Sequence, residues 1–222
     1  MLQIEKKQIA YNRAKRTSSI KYIVIHDTGN KSKGADADAH YNYFNGGNRN
    51  SSADFFVDDK KVLQVNDYAR YYTYHVGDGK GKYGITNQNS VGIEICVNQD
   101  GDYNAAFEQV VALTKYLMQE LSVPAERVVR HYDASRKNCP ASMDECNWWL
   151  WQEFRKRITE VETMECDFKD IALHFAKKDI EELYEMGIVN GKTENQFMPN
   201  EPITRGEVAA IARRVVRYIT GK

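Results

Sequence analysis

The sequence has no net charge and no long apolar run, and each absence removes a class of function. Its 31 basic side chains are matched by 31 acidic ones over 222 residues, so no net field draws it to nucleic acid or to an anionic membrane. The apolar stretches are as short as Tyr22-Ile-Val-Ile25. A membrane helix needs about 20 apolar residues, so no membrane insertion is expected. The opening Met1-Leu-Gln-Ile-Glu-Lys-Lys7 has no apolar core, and a secretory signal is not expected. Four cysteines are too few for a disulfide scaffold of this length. None forms the Cys-x-x-Cys pair of a zinc finger. Nor is there an evident pair of facing carboxylates of the kind that glycoside cleavage uses. What is present, 42% hydrophobic and 28% charged residues, is ordinary for a globular chain. At roughly 150 residues per domain the length predicts one full domain and a small appendage.

Apolar periodicity gives the organisation. Tyr22–Ile25 reads as a buried strand that ends at His26-Asp27-Thr28-Gly29. Ala37, Tyr41 and Phe44 have helical spacing before Gly46-Gly47. Residues 54–57 and 62–65 flank Asp58-Asp59-Lys60-Lys61 as a hairpin. Val91–Val97 is a further strand. Phe107, Val110, Val111, Leu117, Met118 and Leu121 share a helix face that stops near Pro124. Val128-Val129 is a short strand, and Trp148, Trp151 and Ile158 mark a final helix. The alternation predicts an α/β domain, a central mixed sheet flanked by helices, over residues 1–158. Lys6, Lys7, Arg13, Lys15, Arg16 and Lys21, with no acid among them, read as a solvated arm.

Residues 159–167 are polar and acidic, a linker. Residues 168–222 follow a different grammar, a small helix–loop–helix domain. Ala176–Met186 is helical with Ile180 and Leu183 inward, and Gly187–Gly191 is a turn with a short strand. Thr204-Arg-Gly-Glu207 fits a capping box. Val208, Ile211, Ala212, Val215 and Ile219 carry the apolar stripe onward.

His26 and His131 each follow a predicted strand, and Cys139 lies eight residues beyond His131. Strand ends project side chains into a shared cleft, and two imidazoles with one thiolate suit Zn2+. Three protein ligands leave a fourth position open, as catalytic sites do. The His-x-Glu and Pro-Cys-x-x-Cys context of the nucleobase deaminases is missing. Spacing alone leaves each residue open to the plainer reading of a surface or core side chain.

Five segments, in order, extend this: Tyr22-Ile-Val-Ile-His26-Asp-Thr-Gly, Ser52-Ala-Asp-Phe-Phe-Val57-Asp58, His75-Val-Gly-Asp-Gly79, Asn89-Ser-Val-Gly-Ile-Glu94-Ile and His131-Tyr-Asp-Ala-Ser-Arg-Lys137-Asn-Cys139-Pro. Over about residues 5–158 the chain resembles the type 2 N-acetylmuramoyl-L-alanine amidases, the family of many phage endolysins and of the peptidoglycan recognition proteins. The resemblance implies a zinc held by His26, His131 and Cys139, and cleavage of the amide between N-acetylmuramic acid and L-alanine in peptidoglycan. It implies Glu94 as the base toward water, Lys137 as the oxyanion partner and His75 as a substrate-cleft histidine. Some members carry a catalytic Tyr-His pair where this chain has Ala53 and Asp54, which leaves the work to Glu94 and Lys137. The alternative, a non-catalytic wall-binding recognition protein, typically lacks the cysteine ligand that Cys139 supplies. The lack of a signal raises the expectation of an endolysin made in the host cytoplasm, which acts on the cell wall after release.

Phe168-Lys-Asp170, Gly187-Ile-Val-Asn-Gly191, Phe197-Met-Pro-Asn200 and Pro202-Ile-Thr-Arg205-Gly-Glu207 resemble one S-layer homology repeat. That implies a secondary cell-wall polymer as partner, gripped by Arg205 with Asp170, Phe175 and Gly191 beside it. Phe175 stands where the family usually has Trp, and Gly206 where it has Ala. Three repeats commonly build the full module, so association of two or three chains would compensate. Cys96 is expected in the core, and Cys146 and Cys166 as free thiols.

Overall fold

A computed structural model describes residues 2–160 and 166–220, in two compact units, Met1–Glu160 and Val161–Lys222. Part of the expected linker, 161–165, lies outside the described residues. The first unit runs β1 (Ile4–Lys6), β2 (Arg13–Lys15), β3 (Tyr22–Asp27), α1 (Ala37–Asn45), β4 (Phe55–Val57), β5 (Val62–Gln64), β6 (Tyr71–Thr73), β7 (Ser90–Ile95), α2 (Tyr103–Leu121), β8 (Val128–Arg130), α3 (His131–Ser135) and α4 (Glu145–Thr159). Six strands form one sheet in the order β1-β5-β4-β7-β3-β8. Only β4 and β5 pair antiparallel, as the Asp58–Lys61 hairpin requires, and the other neighbours are parallel. This is the mixed sheet flanked by helices that the pattern predicts.

The period of two along each strand sorts the side chains. Ile23 and Ile25 of β3, Val91, Ile93 and Ile95 of β7, and Phe55 and Val57 of β4 point to one face. Helices α2 and α4 close that face with Phe107, Val110, Leu113, Leu117, Trp151 and Phe154. Each such fully buried side chain contributes about 1.5–3 kcal/mol of transfer free energy. Helix α2 is started by Asp102, whose carboxylate accepts from Asn104 N and Ala105 N. On the opposite face Val24 packs with Val76, Ile85 and Ala134, and Phe56 and Leu63 pack with Ala37 and Cys96. His26 and Glu94 are on this second face, at the carboxyl ends of β3 and β7, and the register pairs them directly.

The basic stretch is not a solvated arm. Residues 13–15 form β2, paired with β6, and Arg16 is drawn inward. Its guanidinium donates to the carbonyls of Tyr68 at 2.8 Å, Ser90 at 2.9 Å and Gln88. A five-donor fork satisfies carbonyls ahead of β6 and at the start of β7. His131 follows β8 directly, as expected, and opens helix α3.

The second unit contains α5 (Lys177–Glu185) and α6 (Arg205–Thr220). Phe168, Ile171 and Ile180 form its core, with Tyr184 and Phe197 against them. The expected strand after Gly187 is not formed. Gly187 adopts φ +67°, and the amides of Ile188 and Val189 turn back to the Leu183 carbonyl. The helix cap therefore consumes the donors that a strand would need. Leu183 is 36% exposed, not inward. The capping box is formed: Thr204 N donates to Glu207 Oε2 at 2.7 Å, and Glu207 N to Thr204 Oγ1 at 3.2 Å. Helix α6 has no fully buried residue: Ile211 and Val215 of its apolar stripe are half-buried, while Val208 and Ile219 are exposed.

Candidate active site

His26, His131 and Cys139 converge. All three are buried, and their ligand-type atoms lie within 4.8 Å of one another. His26 Nδ1 is 3.0 Å from His131 Nδ1 and 3.8 Å from Cys139 Sγ. Strand β3 delivers His26. His131 and Cys139 are brought together by a reversal after α3, where Arg136 takes φ 72° and Tyr132 N donates to the Cys139 carbonyl at 3.0 Å.

Electrostatics hold the two imidazoles in the form that can bind a metal, and hold the thiol protonated. Burial holds His26 far below its ordinary pKa, and the neighbouring His75 and His131 act the same way. His131 is lowered by burial, opposed by Asp78. Both imidazoles are therefore neutral near pH 7, the form that binds metal. Burial, reinforced by the charge of Glu94, pushes the Cys139 thiol up. Two nitrogens and one sulfur in a buried, closely spaced cluster fit zinc chemically.

Glu94 stands beside the cluster, its Oε1 4.0 Å from His26 Nδ1. Its Oε2 is buried with no hydrogen-bond partner. Burial first, then the charge of Asp27, raises its pKa to about 8, with Lys137 pulling the other way. Lys137 itself is exposed. It lies between two adjoining clefts, one lined by Asp27, Thr28, His40, Phe56 and Glu94, the other by Tyr74, Gly77, Asp78, Asn87 and His131. Ser51 and Lys137 line both.

Three further placements bear on the sequence reading. His75 reaches the second cleft but is only 7% exposed, and both ring nitrogens have protein partners: His26 Nε2 at 3.0 Å and Ser90 Oγ at 3.1 Å. Burial lowers its pKa to about 3. Asp54 is wholly buried and accepts from Asn66 Nδ2 at 2.7 Å, Gly92 N at 2.8 Å and Thr73 Oγ1 at 3.0 Å. That position ties β4, β6 and β7 together, even though burial raises its pKa. Asp78 was not singled out from sequence. Its Oδ1 lies 2.8 Å from His131 Nε2, a carboxylate behind an imidazole of the candidate metal cluster. The signal was available in His75-Val-Gly-Asp-Gly79. A Cβ at Gly79 would be 2.2 Å from the Ala134 carbonyl, so only glycine lets this turn approach α3.

In the second unit the four predicted polymer contacts are not gathered at one pocket. Gly191 lines a groove with Val189, Asn190, Ile203, Glu207 and Arg214, and a Cβ on it would be 2.4 Å from the Phe168 ring. Asp170 is spent on the amides of Phe197 and Met198, at 3.0 and 2.7 Å. Phe175 is 93% exposed, and Arg205 is exposed at the start of α6. Cys96 is buried, Cys146 exposed and Cys166 intermediate, all as free thiols.

Known proteins resemble this chain in sequence and fold. Residues 16–142 match the family described as N-acetylmuramoyl-L-alanine amidase, and residues 167–209 match the S-layer homology domain. The N-acetylmuramoyl-L-alanine amidases CwlH and XlyA of Bacillus subtilis (strain 168) are each 36% identical, over 64% and 62% of this chain. The chain spans 54% and 43% of their lengths. A mutant endolysin from Bacillus subtilis matches in structure with TM-score 0.64 and 37% identity, over 71% of this chain and 99% of its own. The catalytic domain of XlyA matches with TM-score 0.63 and 34% identity, over 71% and 99%.

Proposed function

The chain belongs to the N-acetylmuramoyl-L-alanine amidase family, and we propose that residues 1–158 form a zinc-dependent hydrolase of peptidoglycan. The bond cleaved is the amide between the lactyl group of N-acetylmuramic acid and L-alanine. The observation that carries this reading is the buried His26–His131–Cys139 cluster beside the orphan carboxylate oxygen of Glu94. These three residues would hold Zn2+, which when bound polarises the scissile carbonyl and acidifies water.

The chain's own groups divide the remaining work. Glu94 takes a proton from the attacking water as the carbon–oxygen bond forms. It delivers that proton to the amide nitrogen as the carbon–nitrogen bond breaks, so a free L-alanine amino group leaves. A carboxyl whose pKa is near neutrality suits both halves of this transfer. Lys137, at the divide between the clefts, donates to the carbonyl oxygen as it becomes anionic. The two clefts give room for glycan on one side of Lys137 and stem peptide on the other.

Residues 168–222 are proposed to hold the enzyme on a secondary cell-wall polymer, and 159–167 to be the linker. Arg205 suits an anionic glycan because a guanidinium grips carboxylate bidentately. The exposed apolar residues of α6, Val208 and Ile219 among them, support association of two or three chains. The similarity to endolysins supports a lytic role in releasing phage from the host. The test is mass spectrometry of purified peptidoglycan digested by the zinc-loaded protein. New L-alanine amino termini on intact glycan strands are expected. Wall binding without new termini would support the non-catalytic alternative, and new reducing sugars would move the chemistry to the glycan.

A further inference from the structure

A line of hydrogen bonds runs inward from His26 to β7. His26 Nε2 lies 3.0 Å from His75 Nδ1, His75 Nε2 lies 3.1 Å from Ser90 Oγ, and Ser90 Oγ donates to the Thr86 carbonyl at 2.6 Å. We propose that His75 is a positioning residue: with Ser90 and Thr86 it forms a one-way relay that fixes the tautomer of His26 and keeps its Nδ1 free of hydrogen. This rests on the zinc reading above and concerns how that site is prepared.

The direction is decided at the far end. A carbonyl only accepts, so the single hydroxyl proton of Ser90 goes to Thr86. Ser90 Oγ must then accept from His75, which puts the ring hydrogen of His75 on Nε2. Its Nδ1 is a bare acceptor, and only a hydrogen on His26 Nε2 can fill the 3.0 Å contact between them. His26 Nδ1 is left with a lone pair directed at His131 and Cys139. The second imidazole reaches the same state by another route. The Asp78 carboxylate at 2.8 Å takes the hydrogen of His131 Nε2, so His131 Nδ1 is bare as well.

The result is two lone pairs facing each other across 3.0 Å with no proton between them. Such an arrangement is repulsive when empty and is relieved by a cation, so the outer partners build metal affinity before any metal arrives. The fold makes a dedicated place for the relay. Gly92 pairs with Val24 on the strand beside it, and a Cβ there would be 2.7 Å from the His75 ring. Asn87 Oδ1 accepts from the backbone amides of His75 and Val76, at 3.0 and 2.8 Å, which sets the ring's approach. His75 has no ring nitrogen left for substrate.

The experiment uses the full chain with Ser90→Ala, His75→Phe and His75→Gln. Long-range 15N NMR of the metal-free protein reads the His26 tautomer, and chelator competition reads zinc affinity. The wild type should show His26 with its hydrogen on Nε2. His75→Phe keeps the ring's bulk but no acceptor, and should mix the tautomers and weaken zinc binding about 10–100-fold. His75→Gln should recover part of this loss, because an amide oxygen can accept from His26. Ser90→Ala removes only the end of the relay, leaves the His75 ring in place and should shift both readouts the same way, which covers the case in which His75→Phe does not fold. An unchanged tautomer and affinity in Ser90→Ala and in a folded His75 variant would overturn the proposal. A raised KM with both readouts unmoved would return His75 to substrate binding. A wild type that takes up no zinc would sink the zinc reading, while the tautomer would still report on the relay.

Discussion

Glu94 and His26 face each other on adjacent parallel strands, with 4.0 Å between the carboxylate Oε1 and the imidazole Nδ1. The proposed proton acceptor is thereby built into the same sheet as the first proposed ligand, at a distance set by backbone register. Glu94→Gln keeps the shape and removes the acceptor. It should leave zinc stoichiometry unchanged and lower kcat about 10²–10⁴-fold. Undiminished turnover with full zinc content would take Glu94 out of the mechanism.

Zinc affinity should rise with pH. The Cys139 thiol is held protonated through neutrality by burial and by Glu94, whereas a ligating sulfur must be a thiolate. Its proton leaves on binding, so below the thiol's own range each unit's rise in pH should strengthen apparent affinity about tenfold. Competition titrations at three pH values would check this. A flat profile would exclude the thiol as a ligand.

Asp78→Asn should weaken zinc binding about 10–100-fold with little loss of folding stability. The side chain is 48% exposed, so its removal leaves no buried gap. What it takes away is the obligate acceptor that keeps the hydrogen of His131 on Nε2. Wild-type affinity in this variant would make the His131–Asp78 contact incidental.

Gly92→Ala should destabilise the first unit by about 1–3 kcal/mol, the usual result of forcing a methyl into a packed core. The methyl would meet the His75 ring at 2.7 Å. A lowered unfolding midpoint and weaker zinc binding are expected together. A stable variant with normal affinity would show that the ring has another place to go.

The second unit should lose stability in acid over a defined range. Glu207 is held down to about 2 from an ordinary 4.5, first by Lys192 and then by the amide and hydroxyl of Thr204. A depressed carboxyl stabilises the folded state above its unfolded pKa, and that contribution is lost as pH falls from about 4.5 toward 2. Circular dichroism melts should show this decline, and Glu207→Gln should flatten it. An identical acid profile in the variant would mean that the capping box is not coupled to folding of this unit.

The sequence by itself was enough for the parts that depend on local pattern or on contiguous segments. Strand and helix periodicity located every strand of the main sheet except β1, and its two covering helices, Thr204-Arg-Gly-Glu207 foretold a capping box, and the segments around His26, Glu94, His131 and Cys139 carried the family. Tertiary structure decided the roles that depend on residues far apart in the chain. His75 meets His26 across 49 positions, and Asp78 meets His131 across 53. Arg16 reaches the carbonyl of Ser90 across 74, which turned a presumed basic arm into part of the framework. No local periodicity encodes such pairs. They follow from the strand order β4-β7-β3-β8 and from the register that sets Gly92 beside Val24 and Glu94 beside His26. A one-residue slip would put each of these side chains on the other face of the sheet.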